Sequence, residues 1–280
     1  MSRRSANREP LNLRWTIGDV AAPGFEALRL SLHGAHRLFG GRAAFHVFVN
    51  TIPVALARAR TGQVPPGIAW RPAPTEPPPA LRGFLDGGMS EGTAWKFLPV
   101  QIDLAVRELA FDNDVILWDL PEAIAAWLDD PDGRLIAADV TPGHGQFADL
   151  AGPEPRNSGI RGTPVGFDLG AAIAGVLAEH PAALASELDE QGLQVAAMRR
   201  GGEPMVVTTD AVSICSPFPP HQPELGRCGA HFVGLNAHGF DWRYYDRPAI
   251  EVRREHWRRH RPELYRRVGL PLPELAAAAC

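Results

Sequence analysis

The chain has 280 residues, a formal net charge of −4, 45% hydrophobic and 21% charged residues. That is the make-up of a globular chain long enough for a full core, and it offers no general positive field for nucleic acid or anionic lipid. No run of eighteen apolar residues is present and the N-terminal segment lacks a signal-peptide core, so a cytoplasmic enzyme with no spanning helix is expected.

Leu11 to Ile17 reads as a strand ending near Thr16, Gly18 and Asp19. Pro23 and Gly24 open a helix in which Phe25, Leu28, Leu32, Ala35 and Phe39 recur at the spacing of one buried face. Gly40-Gly41 closes it. Ala43 to Val49 is a nearly continuous apolar strand ending at Asn50. This strand, helix, strand order is the βαβ unit of a parallel sheet covered on both faces. Ile52 to Arg60 reads as a short helix and Ile68 to Trp70 as a third strand. Pro72 to Pro79 holds five prolines and is a stiff loop. Leu81 to Leu85 is a helical turn, and Thr93 to Leu98 is expected beside the central strand.

Glu108 to Trp118 holds the most informative pattern. Asp112 and Asp114 lie between two apolar runs, and on an extended backbone residues two apart face the same side. Two like charges between apolar runs need compensation, and a divalent cation supplies it. A solvated turn is the plainer alternative. Pro121 begins a helix through Leu128, and Leu135 to Val140 is a strand. Thr141 to Ser158 reads as loop, Leu169 to Leu177 and Asp189 to Met198 as helices, Met205 to Cys215 as strands, and Ala230 to Leu235 as a short strand. Arg253 to Arg267 reads as a surface helix, with His256 and His260 among the surface histidines. The expected fold is α/β, a mostly parallel central sheet flanked by helices. The expected division is residues 1–250 as the main domain and 251–280 as a helical extension with a flexible tail.

In open α/β sheets ligands bind outside the carboxyl ends of strands, where Thr16, Asn50 and residues 112–114 fall. Cys215, Cys228 and Cys280 give an odd count, which argues against a disulfide framework. Cys215, Cys228, His231 and His238 are the residues for a zinc reading, although their gaps do not match paired knuckles. Of the 28 basic residues only Lys96 is lysine. No dinucleotide fingerprint, phosphate-binding loop or nucleophile elbow occurs, and basic residues do not alternate with aromatics as they do in nucleic-acid binders.

Lys96, Phe111-Asp-Asn-Asp-Val-Ile116, Asn157-Ser-Gly159, Asp189-Glu-Gln191 and His231-Phe-Val-Gly234 follow one another in a fixed order. From about Leu11 to about Phe240 the chain resembles the GT-A fold nucleotide-sugar glycosyltransferases, most closely the glycogenin and lipopolysaccharide galactosyltransferase group. The resemblance implies a Rossmann-like GT-A sheet and a hexose transferred, with retention, from a nucleoside-diphosphate sugar to a carbohydrate, lipid or protein acceptor, with UDP the expected nucleotide.

It implies Mn²⁺ (or Mg²⁺) on Asp112, Asp114 and His231. It implies donor contacts from Asp112, Asn113, Ser158, Gly159 and Gly234, to which the strand-end residues Thr16 and Asn50 are added by position, and catalytic roles for Lys96, Asn157, Asp189 and Gln191. Each has a plainer reading: a core histidine, a surface lysine, an ordinary Asn-Ser-Gly turn, an acidic helix start. Two departures stand out. The acidic pair is a triplet, so Asp189 or Glu190 can fill the role beside the sugar. The family's lysine after the histidine motif is missing, and Asn236, His238 or Arg243 are its candidate replacements. A non-catalytic nucleotide-sugar or carbohydrate binding protein and a sugar nucleotidyltransferase are the rival functions. Nucleotidyltransferases usually carry a basic, Gly-rich loop after the first strand, and Thr16 to Gly24 lacks the basic residue.

Overall fold

A computed structural model of the chain describes residues 10–85 and 93–273. The strands are β1 (Leu11–Ile17), β2 (Ala43–Val49), β3 (Ile68–Pro72), β4 (Arg107–Asp112), β5 (Val115–Leu117), β6 (Leu135–Ala138), β7 (Arg156–Thr163), β8 (Met205–Val207), β9 (Val212–Ile214), β10 (Gly229–His231), β11 (Arg243–Tyr244) and β12 (Arg247–Pro248). The helices are α1 (Ala22–Phe39), α2 (Val54–Thr61), α3 (Glu122–Asp129), α4 (Ala148–Ala151), α5 (Leu169–Glu179), α6 (Glu187–Arg199) and α7 (Ala249–Val268).

The main sheet has the order β3-β2-β1-β4-β7-β6-β8, parallel except for β7. The expected α/β architecture is therefore present. On one face, Leu13, Trp15 and Ile17 of β1 pack against Phe25, Leu28, Leu32 and Phe39 of α1 and Trp127 of α3. Trp15 is fully buried, stacks near Phe45 and Phe111, and donates from Nε1 to Ser31 Oγ at 2.8 Å. Burying a side chain of that size contributes about 1.5–3 kcal/mol. The opposite face is covered by α5 and α6 through Ile173, Leu177, Leu193 and Ala197, together with Phe97 and Val100. A second sheet, β5-β10-β9, lies against the other side of α1.

Three expectations are corrected. Thr141 to Ser158 is not one loop: it holds a 3-10 turn at Gly145–Phe147, then α4, and β7 begins at Arg156. Asn157-Ser158-Gly159 is accordingly strand, not turn. Its composition hides this, because a central strand with two glycines and two arginines shows no alternation. The glycines are there for close approach: a Cβ at Gly162 would meet Trp127 Cε2 at 2.7 Å.

The carboxylate triplet is not extended either. β4 ends at Asp112, residues 113–114 form a turn, and β5 joins the other sheet. Finally, α7 is no surface helix. Arg253, His256, Trp257, His260, Leu264, Tyr265 and Val268 form a buried face against Ala27, Leu30, Trp118 and Phe232. Arg253, His256 and His260 interrupt that stripe, so hydropathy alone does not reveal it. Among the described residues no helix is long and apolar enough to cross a membrane.

Candidate active site

β1 and β4 run side by side with Thr16 in register with Asp112, so the carboxyl ends of both strands open at one place. The turn after Asp112 is locked by amides. Asn113 Nδ2 donates to Gly24 O (3.2 Å) and Asn236 Oδ1 (2.7 Å), and Asn236 Nδ2 returns a bond to Asn113 Oδ1 at 2.9 Å. The Phe232 amide donates to Asp114 O at 3.0 Å, which fastens the turn to the end of β10.

His231 closes β10, opposite Val115. Its Nε2 lies 3.6 Å from Asp112 Oδ2 and 3.4 Å from Asp114 Oδ1. One ligand atom from each of the three residues lies within 4.8 Å of the others. The two carboxylates therefore converge, through a turn rather than through strand periodicity. Asp114 and His231 are 3% and 5% exposed, which excludes a solvated turn. Two carboxylates and an imidazole are a donor set that fits Mn²⁺ or Mg²⁺. Burial pulls the His231 pKa down, but Asp114 and Asp112 outweigh it and the net shift is upward.

Lys96 arrives from the 3-10 turn Thr93–Phe97. Its Nζ lies 2.9 Å from Asp112 Oδ2, 3.4 Å from Glu190 Oε2 and 2.9 Å from Ser158 Oγ. Burial opposes its charge, yet Asp112 and Glu190 prevail and its pKa is raised. Asp112 is lowered: desolvation works against ionisation, and Lys96 and His231 overcome it. Glu190 is raised, chiefly by burial. Gln194 donates to Glu190 Oε1, and Ser158 Oγ lies 3.4 Å from it.

Beneath them on β7, Arg161 is 4% exposed and burial lowers its pKa to about 10. Its Nε and Nη1 lack hydrogen-bond partners among the described residues, while Glu190, Asp112 and Glu108 act on it electrostatically. Glu108 is already neutralised by Arg14 at 2.7 Å. Asp112 and Glu190 then face Lys96 and Arg161, while Asp114 faces His231 and the Arg253 guanidinium.

The other expected residues divide. Glu190 faces the cluster, whereas Asp189 turns back into the helix. Asp189 Oδ1 accepts from the Gln146 amide (2.8 Å), Oδ2 from the Ala185 and Ser186 amides (3.0 Å each), and Asp189 forms the capping box of α6 with Ser186. Gln191 donates to Gly143 O at 2.8 Å. Asn157 spends its amide on Asp139 Oδ2 (2.9 Å) and the Gly159 N–H (2.7 Å). Gly159 lies flat beneath His231, and a Cβ there would meet His231 Cε1 at 2.5 Å. Thr16 Oγ1 and Asn50 Nδ2, at the ends of β1 and β2, are buried and lack hydrogen-bond partners among the described residues. Orphan polar groups of this kind are uncommon in a folded interior.

None of the candidate replacements for the missing lysine points freely at the site. Asn236 is engaged by Asn113, His238 Nε2 lies 3.2 Å from Asp19 O, and Arg243 bonds Asp246 O on the surface. Sequence reading missed Arg161 and also Arg253. The latter reaches from α7 under Gly234 and donates to Val233 O, and Asp114 is the strongest charge acting on it. Burial lowers its pKa to about 10, within the range where it stays a cation. The spacing 253, 256, 257, 260, 264 was the available signal, masked by three polar side chains. The zinc set does not assemble: His231 joins the aspartates, and Cys215 lies instead with His256 and His260.

No protein-family model matches the chain, and no curated protein matches it. Solved structures do. The galactosyltransferase LgtC in complex with donor and acceptor sugar analogs is 13% identical, with a TM-score of 0.50 over 94% of this chain and 98% of that one. An active-site mutant of LgtC is 14% identical, with a TM-score of 0.49 over 80% of this chain and 87% of that one. The apo glycosyltransferase GlyE of Streptococcus pneumoniae TIGR4 is 10% identical, with a TM-score of 0.47 over 93% of this chain and 62% of that one. With the central sheet and the likeness to LgtC taken together, this chain has the GT-A fold of glycosyltransferases.

Proposed function

We propose that the protein is a metal-dependent glycosyltransferase that moves a hexose from a nucleoside-diphosphate sugar, with UDP the expected nucleotide, to a hydroxyl of a carbohydrate, lipid or protein acceptor. The observation that carries this reading is the convergence of Asp112, Asp114 and His231 at the carboxyl end of the sheet. Mn²⁺ or Mg²⁺ held there supplies charge stabilisation for the departing diphosphate.

The chain's own residues do the rest. Breaking the sugar–phosphate bond leaves negative charge on the nucleoside diphosphate and positive charge on the sugar ring. Lys96, linked to Asp112, and Arg253, behind Asp114, are the cations near the first. Glu190 is the buried carboxylate available to the second, which gives it the role that sequence reading split between Asp189 and Glu190. Thr16 and Asn50 offer unpaired polar atoms to the nucleotide. Retention of anomeric configuration goes with the family that the motifs resemble.

The test is hydrolysis of nucleotide sugars with Mn²⁺, after a thermal-shift screen of donors with and without the metal. The reading requires turnover in the wild type that falls at least about 100-fold in Asp114→Asn, of the order of a lost transition-state contact. Donor binding with no turnover on any acceptor class would favour a binding protein. Pyrophosphate release from a nucleoside triphosphate would favour a nucleotidyltransferase.

A further inference from the structure

The geometry points to a second metal centre, a structural zinc site formed by Cys215, His256 and His260 that fastens α7 to the strands carrying His231. One ligand atom from each of the three side chains lies within 4.8 Å of the others. All three are buried, at 1%, 4% and 6% exposure.

His256 and His260 are four apart on α7, so their rings share one face of the helix. The ring centroids are 4.6 Å apart at an interplanar angle of 72°. Each ring has Nε2 2.8 Å from the Pro223 carbonyl oxygen, which orients both. Backbone carbonyls commonly serve ligating imidazoles in this way.

The packing around them is largely apolar: Phe232 lies 6.2 Å from each ring, and Trp257, Ala230 and Leu235 belong to the same cluster, with the buried Arg253 guanidinium as the nearby charge acting on both Cys215 and His256. A thiol and two imidazoles in such a cluster are costly unless something gathers them. Sulfur with two imidazole nitrogens supplies three of the four positions of tetrahedral Zn²⁺, with a water for the fourth, whereas the oxygen-rich set at Asp112 and Asp114 suits Mn²⁺ or Mg²⁺. Binding would release the thiol proton to solvent.

The placement explains what the ion would do. Cys215 directly follows β9, and its amide donates to His231 O at 2.7 Å. An ion bridging Cys215 to α7 would hold the backbone from which His231 projects, and would hold Arg253 one turn away on the same helix.

Elemental analysis of the purified full-length protein tests this. About one zinc per chain is expected, falling below about 0.1 in Cys215→Ser and His260→Gln. Cys228→Ser and Asp114→Asn should keep their zinc. Retention in Asp114→Asn separates this site from the proposed catalytic cation, so either claim can fail alone. Cobalt substitution of the wild type should give thiolate charge-transfer and tetrahedral d–d absorption, a readout that stands if a variant does not fold. A wild type without zinc whose cobalt form lacks the thiolate band would overturn the site. Zinc content unchanged in both ligand variants would overturn it equally.

Discussion

His231 lies between two carboxylates whose demand for positive charge can be met by a proton or by a metal. Its pKa in the folded chain is raised, with Asp114 and Asp112 overcoming the opposing effect of burial. In metal-free protein the protonated imidazole therefore stabilises the fold fully below its unfolded value of about 6.5. That contribution is lost as pH rises through the folded value. Metal binding needs the neutral ring and runs the other way. The melting temperature of chelator-treated protein should accordingly fall as pH rises above about 6.5, while the increment given by Mn²⁺ grows over the same range. His231→Gln should flatten both trends and weaken Mn²⁺ by more than the ~10–100-fold typical of a lost supporting contact. Calorimetry at several pH values checks this, and an affinity independent of pH would remove His231 from the metal shell. Asp189 gives a different lesson at this scale. Its place in a Ser186 capping box was readable from the three-residue spacing, but the family motif drew attention to it ahead of its neighbour Glu190.

Elements differ in how openly the sequence declares them. β1, α1 and β2 were legible because apolar residues fill most of their buried positions, at period two or 3.6, with Asn12, Arg14, Ser31 and His46 as polar exceptions. β7 was illegible because its core-facing residues include Asn157, Ser158, Arg161 and two glycines. The same glycines make it testable. Gly159→Ala would press a methyl group against His231 at 2.5–2.8 Å. We expect a loss of about 1–3 kcal/mol in stability from overpacking. The Mn²⁺ affinity should drop by about 10–100-fold as the imidazole shifts. Denaturation and metal titration on the same sample separate the two, and wild-type Mn²⁺ affinity in this variant would mean that His231 does not depend on its bed of backbone. In α7 the stripe was hidden by Arg253, His256 and His260. Leu264 is fully buried there. Leu264→Ala should cost about 2–5 kcal/mol in urea unfolding, against near zero for a surface helix.

Across the whole molecule, the two sheets meet at the turn of residues 112–114, and the proposed chemistry depends on that meeting. One sheet supplies Asp112 and the orphan groups of Thr16 and Asn50, and the other supplies His231. α1 is packed between them, with Phe25 and Leu28 toward the first sheet and Ala27 and Leu30 toward the second. α7 covers the second, so the helix read from sequence as an appendage buries core surface and lends Arg253 to the site. The most direct measurement is a titration of free Mn²⁺ by electron paramagnetic resonance in the presence of UDP. The account predicts about one bound ion per chain in the wild type, and none in Asp112→Asn combined with Asp114→Asn. Equal Mn²⁺ uptake by the wild type and that double variant would contradict it.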